Sequence, residues 1–199
     1  MPSLSVDFTS PGLPDSEILY CSGFLSEEEA SELFNELRQN VPWQEDSIKL
    51  FGKTYSQPRL TAFYGNNGQA YRYSGICMHP HPFTYTMLRL KEWVEVAAKA
   101  EFTSCLLNLY RHGNDSNGWH SDNEKELGEH PHIASVSLGA VRTFQLKHRK
   151  VPGLKHAMAL QNGSLLLMKG ATQKHWLHQV PKTKKKVGAR INLTFRLIH

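Results

Sequence analysis

The sequence predicts an α+β chain that is mostly β: a double-stranded β-helix, or jelly roll, with helices packed on one outer face. Three observations lead there. Two amphipathic helical stretches come early, short apolar or alternating runs follow one another from residue 102 onward, and turn residues separate several of those runs. At 199 residues the chain suits one domain with a sizeable core. Its 40% apolar and 21% charged residues exclude a wholly disordered polypeptide.

Residues 1–16 carry prolines, a glycine and few core-forming side chains, so they read as an extended arm before one domain over 17–199. In GFLSEEEASELFNELRQN, Ser26 followed by Glu29 is a capping box, and Ala30, Leu33, Phe34 and Leu37 continue as an apolar stripe at helical spacing. TYTMLRLKEWVEVAAKA is the second helix, with Met87, Leu90, Val94 and Ala97 on one face. Both stripes are core-facing surfaces for a sheet. Between them, residues 47–85 have aromatics, glycines and polar turns but no helical period; Gly65-Asn66-Asn67-Gly68 predicts a hairpin joining TAFYG to AYRYS. Beyond residue 102 the expected strands are SCLLNLYR, ASVSLGAVRTFQLKHR, HAMALQ, SLLLMKG, HWLHQV and RINLTFRLI, with turns at Gln161-Asn162-Gly163 and Val151-Pro152-Gly153.

Composition narrows the function classes. Lys plus Arg number 23 against 18 Asp plus Glu, a formal charge of +5 that permits a polyanionic partner without requiring one. No apolar run reaches the ~20 residues needed to cross a bilayer, and the N-terminus lacks the basic start and apolar stretch of a secretory signal. Cys21, Cys77 and Cys105 are odd in number and widely spaced, which argues against a disulfide framework and for a reduced compartment, the cytoplasm or, in a eukaryote, the nucleus.

The chemistry begins at Trp119-His120-Ser121-Asp122. In an extended segment residues two apart point to the same side, so the His120 imidazole and the Asp122 carboxylate converge on one cation, with a third ligand from elsewhere. Two histidines and one carboxylate on one face of an octahedron is the arrangement of non-haem Fe(II) oxygenases. By itself H-x-D is weak, because polar loops contain it by chance. The C-terminal strand adds a second signal: Ile191, Leu193, Phe195 and Leu197 alternate with Arg190, Asn192, Thr194 and Arg196. A solvent-facing polar side is one explanation. The other is that the two guanidinium groups meet a dicarboxylate, since arginine pairs carboxylates through parallel hydrogen bonds. Asn108 and Tyr110 repeat the alternation upstream, opposite Leu107 and Leu109.

Taken together, the H-x-D pair, the histidine within HWLHQVP, R-x-N-L-T-F-R, the earlier N-L-Y and the intervening I-A-S-V-S-L-G-A resemble the AlkB family of Fe(II)- and 2-oxoglutarate-dependent nucleic-acid dioxygenases. The resemblance covers almost the whole chain beyond the arm. It implies iron ligands His120, Asp122 and His178, with His175 a structural neighbour. It implies Fe(II), with 2-oxoglutarate and O2 as cosubstrates. The 2-oxoglutarate would pair its distal carboxylate with Arg190, aided by Asn108 and Tyr110, while Thr194 and Arg196 complete its pocket.

The same resemblance makes residues 47–85 a nucleotide-recognition lid. An enzyme acting on a base must take it out of the stack and hold both faces and an edge. Tyr71, Tyr73 and Ser74 match family positions that sandwich the base and touch its backbone, although alternating aromatics covering a core explain the two tyrosines equally well. Glu124 matches an acidic position at the base edge, and Asn123 stands where relatives often carry Asp. Leu50-Phe51-Gly52-Lys53, followed by Ser56-Gln57-Pro58-Arg59, matches the duplex-acting homologues. In those, the aromatic residue fills the gap left by the flipped base. Phe51 would be that wedge, or a cap on a small core, and Arg59 would join the substrate contacts. Lys184 and Lys185, in the lysine run 182–186, would meet phosphates, the alternative being a solvated charged turn. His79-Pro80-His81 and His130-Pro131-His132 read as surface clusters in turns in preference to second metal sites, and His112, His148, His156 and His199 have no partner spacing.

The activity implied is oxidative demethylation of N-alkylated bases such as 1-methyladenine and 3-methylcytosine in DNA, a direct-reversal repair, by a monomer. Double-stranded DNA is the expected partner, with single strands or RNA as further possibilities and no membrane. Three other readings remain at this point: a related oxygenase acting on RNA or protein, a non-catalytic nucleic-acid-binding jelly roll, and a zinc hydrolase. The last leaves Arg190 and Arg196 without a purpose.

Overall fold

The last strand is buried along its entire length, polar residues included, and that decides how the layers stack. The structure is a computed structural model describing residues 6–50, 53–66, 71–73 and 76–198. Its strands are β1 (Glu17–Cys21), β2 (Ser47–Leu50), β3 (Lys53–Ser56), β4 (Leu60–Gly65), β5 (Tyr71–Tyr73), β6 (Ile76–Met78), β7 (Ser104–Tyr110), β8 (Asn117–His120), β9 (Ile133–Gly139), β10 (Arg142–His148), β11 (Lys155–Leu160), β12 (Ser164–Lys169), β13 (Trp176–Val180) and β14 (Arg190–Arg196). Helices α1 (Glu27–Asn40) and α2 (Tyr85–Ala98) precede β7, and a single turn, α3 (Thr172–His175), leads into β13.

Local chemistry explains the helices. At the start of α1 the Ser26 hydroxyl accepts from the Glu29 N–H while the Glu29 carboxylate accepts from the Ser26 N–H, which is the expected capping box. In α2 the Thr84 hydroxyl accepts from the Met87 N–H, and the helix stops where Lys99 takes a left-handed φ of 52°. The buried face is Met87, Leu90, Val94 and Ala98. The expected Ala97 packs against the same core while partly buried, and Ala98, four residues on from Val94, is fully buried beside it.

Ten strands form two antiparallel sheets, ordered β1-β12-β9-β14-β7-β4 and β11-β10-β13-β8. Alternation along the larger sheet sends Leu107, Leu109, Val136, Leu138, Ile191, Leu193 and Phe195 toward the helices, where they pack with Ala30, Met87, Leu90 and Val94. The opposite face supplies Leu106, Tyr110, Ile133, Leu166 and Met168 to a second core shared with Phe144, Leu146, Trp176 and Val180 of the smaller sheet. Each fully buried apolar side chain of this size is worth about 1.5–3 kcal/mol. The polar face of β14 thus lies between two sheets, not in solvent. This is a jelly roll with helices on one side, as expected.

One expected connection differs. TAFYG (β4) pairs with β7 at the edge of the large sheet, and AYRYS supplies β5, which pairs with β6. β4 is buried from Thr61 through Gly65, so its apolar residues join the main sheet in preference to an exposed hairpin. Of the arm, Thr9 bridges to Tyr20. Cys21 and Cys105 are buried free thiols. Among the described residues no helix is long and apolar enough to cross a membrane.

Candidate functional site

β8 and β13 are neighbours with His120 directly opposite His178, so two histidines distant in sequence become a cross-strand pair. Their ring centres are 4.2 Å apart in an edge-on arrangement. Asp122 follows two residues after β8 reaches His120, and one ligand atom from each of the three residues lies within 4.8 Å of the others. Asp122 is 2% exposed and His178 4%.

Hydrogen bonding prepares these groups for a cation. The Gly118 carbonyl, which can only accept, lies 2.7 Å from His120 Nδ1; Nδ1 therefore carries the proton and Nε2 keeps its lone pair. Burial first, then the neighbouring His120, pushes His178 down to about 3, and burial lowers His120 as well, so both rings are neutral at physiological pH. For Asp122 burial pushes upward, yet the carboxyl is held below its usual range, with the charge and hydrogen bond of Arg196 the chief opposing cause. Arg196 Nη2 donates to Asp122 Oδ1 at 3.0 Å, and the Asp122 N–H donates to Gln173 Oε1, also at 3.0 Å. The result is two neutral nitrogens and one carboxylate oriented by partners behind them. That donor set fits a ferrous ion with open positions.

A second group, Asp15, His148 and His175, also brings three ligand-type atoms within 4.8 Å of one another. Its hydrogen bonds point the other way. Lys150 and Val151 donate their N–H groups to His148 Nδ1 at 3.2 and 3.0 Å, which leaves the ring proton on Nε2, facing Asp15 Oδ2 at 3.3 Å. A nitrogen that carries a proton offers no lone pair to a metal. The His175 ring stacks on His148, and Trp176 Nε1 donates to the Pro14 carbonyl, so this group fastens the arm to the β10–β11 end of the roll. His175 thus belongs to this second group and not to the trio of His120, Asp122 and His178.

The wall beside the first group comes from the polar faces of β7, β9 and β14. Register sets Tyr110 opposite Arg190 and Asn108 opposite Asn192. Arg190 is 1% exposed, and burial pulls its pKa down to about 10, which leaves it charged at neutral pH. Its Nη2 donates to Ser137 Oγ at 2.9 Å and Asn192 Oδ1 at 2.7 Å, while its Nε and Nη1 are buried without a hydrogen-bond partner. Two orphaned donors on a buried guanidinium are costly unless an anion meets them. Asn192 Nδ2 passes the chain on to Thr194 Oγ1 at 2.7 Å. A cavity between the sheets joins this wall to the three metal-type ligands, with Asn108, Tyr110, Thr194 and Arg196 among its lining. Arg190 adjoins this lining through its bond to Asn192, and its charge and unmet donors fit a carboxylate.

The other expected residues distribute as follows. Arg59 is buried, donating through Nε to Asn108 Oδ1 at 2.7 Å and through Nη1 to the Ser116 carbonyl. Glu124 is half-buried and precedes a 3-10 turn at Lys125–Leu127. Lys184 and Lys185 are exposed in the connection from β13 to β14, where the Thr183 N–H donates to the Gly113 carbonyl. Tyr71 and Tyr73 begin and end β5. Phe51 and Ser74 lie outside the described residues, although β2 and β3, which flank Phe51 in sequence, pair with each other. Sequence reasoning missed Ser135, Ser137, Gln173 and Arg142. The alternation in I-A-S-V-S-L-G-A could have flagged the two serines as inward-facing; no local pattern marks Gln173 or Arg142.

Comparison with known proteins agrees with this geometry. Residues 17–196 match the family model of the 2OG-Fe(II) oxygenase superfamily. The chain is 41% identical over 193 residues to the alpha-ketoglutarate-dependent dioxygenase alkB homolog 3 of Bos taurus, covering 92% of this chain and 67% of that protein. It is 38% identical over 180 residues to the DNA oxidative demethylase ALKBH2 of Homo sapiens, covering 85% and 69%. A solved structure of OsALKBH1 superposes with a TM-score of 0.67 at 15% identity, over 96% of this chain and all of that one, a likeness of fold.

Proposed function

The chain belongs to the 2OG-Fe(II) oxygenase superfamily and within it to the AlkB homologues, and from that premise we propose that it oxidatively removes N-alkyl groups from DNA bases. The observation that carries the proposal is the trio His120, Asp122 and His178, opening into a cavity lined by Asn108, Tyr110, Asn192, Thr194 and Arg196. His120 Nε2, an Asp122 oxygen and His178 would hold the ferrous ion. When bound, iron and 2-oxoglutarate supply O2 activation, with succinate and CO2 as the products of the keto acid.

The side chains bind and orient; no strong acid or base is required of them. Arg196 keeps Asp122 anionic and fixes its rotamer. Arg190 anchors the distal carboxylate through a charge-assisted pair, with Tyr110 and Asn108 alongside. Oxidation of the N-methyl group gives a hydroxymethyl base that breaks down to formaldehyde and the unmodified base. Lesions of the 1-methyladenine and 3-methylcytosine type are the substrate class.

The finer reading takes residues 47–85 as the lid over the base. Tyr71, Tyr73 and Ser74 would hold the extruded nucleotide, Glu124 its edge, and Phe51 the vacated gap in a duplex. Lys184 and Lys185 contact phosphate. Arg59 supports the substrate side through its bond to Asn108. The enzyme acts as a monomer in the cytoplasm or nucleus. The test is incubation with Fe(II), 2-oxoglutarate and matched single- and double-stranded oligonucleotides carrying 1-methyladenine or 3-methylcytosine. Repair that needs 2-oxoglutarate supports the reading; release of alkyl groups without it would overturn it.

A further inference from the structure

Arg142 opens β10 and is 3% exposed, and three backbone carbonyls take its donors. Nη1 donates to the His112 carbonyl at 3.3 Å. Nη2 donates to the Asp115 carbonyl at 2.8 Å and the Pro181 carbonyl at 2.7 Å. The first two belong to the loop that runs from Tyr110 to β8, and the third follows the end of β13. Those are the segments that deliver His120 and His178. The Asp115 carboxylate is occupied elsewhere, accepting from the backbone and side chain of Arg111.

The guanidinium also bears on the cosubstrate wall. Arg142 Cζ lies 5.6 Å from the centre of the Tyr110 ring, and Arg190 Cζ lies 5.2 Å from the same ring, so one phenol has two cationic neighbours. The loop gripped by Arg142 has further fastenings. The Thr183 N–H donates to the Gly113 carbonyl, and a Cβ at Gly113 would come within 2.5 Å of the Thr183 carbonyl oxygen, an approach that glycine alone permits.

We propose that Arg142 is a positioning residue for the 2-oxoglutarate pocket. By tying His112, Asp115 and Pro181 together it holds Tyr110 beside Arg190 and sets the spacing of β8 and β13. The proposal rests on the reading of Asn108, Tyr110 and Arg190 as the cosubstrate site. Three in-plane acceptors match the fork of arginine; a lysine ammonium at the same place reaches fewer of them with the same charge.

The test is calorimetric titration of 2-oxoglutarate into protein loaded with Mn(II), which permits binding without turnover, for the wild type, Arg142→Lys and Ser26→Ala. The expected result is a Kd about tenfold weaker for Arg142→Lys. For Ser26→Ala, which removes the cap of α1 and leaves the loop held by Arg142 intact, the Kd should stay within about twofold of wild type. Thermal midpoints recorded with and without 2-oxoglutarate report on the folded fraction of each variant. Should Arg142→Lys not fold at 25 °C, Arg142→Gln takes its place in the same titration. Unchanged affinity in folded Arg142 variants, or equal weakening in Ser26→Ala, would overturn the proposal. Failure of the wild type to bind 2-oxoglutarate would instead overturn the cosubstrate site itself.

Discussion

His178 is held as a neutral imidazole because burial, and then the adjacent His120, pushes its pKa from 6.5 to about 3. The folded value is depressed, so the unfolded chain binds the extra proton over the interval between them. Stability from the neutral ring is therefore complete above about pH 6.5 and is lost as pH falls toward 3. His120 shifts in the same direction. The thermal midpoint of metal-free protein should fall between pH 7 and pH 5, and a flat profile would show that these rings are solvated. The two nearby histidines of HWLHQV separate by function: His178→Ala should abolish succinate formation, whereas His175→Ala, which loses a stacking partner of His148, should keep most of it. Arg190→Ala should raise the KM for 2-oxoglutarate roughly ten- to a hundredfold, since a charge-assisted hydrogen bond is worth about 1.5–3 kcal/mol. A KM unchanged in that variant would place the distal carboxylate elsewhere.

At the scale of elements, β14 shows what alternation can and cannot reveal. Its two faces are evident in R-I-N-L-T-F-R, and the capping box of α1 is evident in Ser26 and Glu29. Whether the polar face met solvent or a second sheet depended on β10 and β13 arriving from elsewhere in the chain, which no local pattern encodes. The same holds for β4, whose partner β7 lies some forty residues on in sequence. Arg142 and Gln173 act through backbone groups brought near by tertiary pairing, so their types and spacings carried no mark. The grouping of His120, Asp122 and His178 was legible because such a set is rare and its spacing belongs to a resemblance covering most of the chain. Packing on both faces predicts that Leu193→Ala costs about 2–5 kcal/mol. Ser26→Ala, which removes one cap, should cost about 1 kcal/mol. Urea midpoints compare the two directly, and equal losses would mean that Leu193 is less confined than its complete burial indicates. For the segment between β2 and β3, Phe51→Ala should impair repair of duplex much more than of single strands; equal impairment would make Phe51 a packing residue.

Across the whole molecule, the formal charge is +5, and the lysine run 182–186 lies in the connection between His178 and Arg190. Neutralising Lys184 and Lys185 together should lower the magnitude of the log Kd against log salt slope by about one for each lysine that meets a phosphate. An unchanged slope would leave the run as a solvated turn. The central claim is that two sheets close around one ferrous site and couple the oxidation of a keto acid to that of a base methyl group. It is tested most directly by counting succinate and formaldehyde released from a 1-methyladenine oligonucleotide in the presence of Fe(II), O2 and 2-oxoglutarate. The expected result is formaldehyde matched by succinate, both absent in Asp122→Ala. Formaldehyde released by Asp122→Ala at the wild-type rate, or succinate formed with no loss of the methyl group, would contradict it.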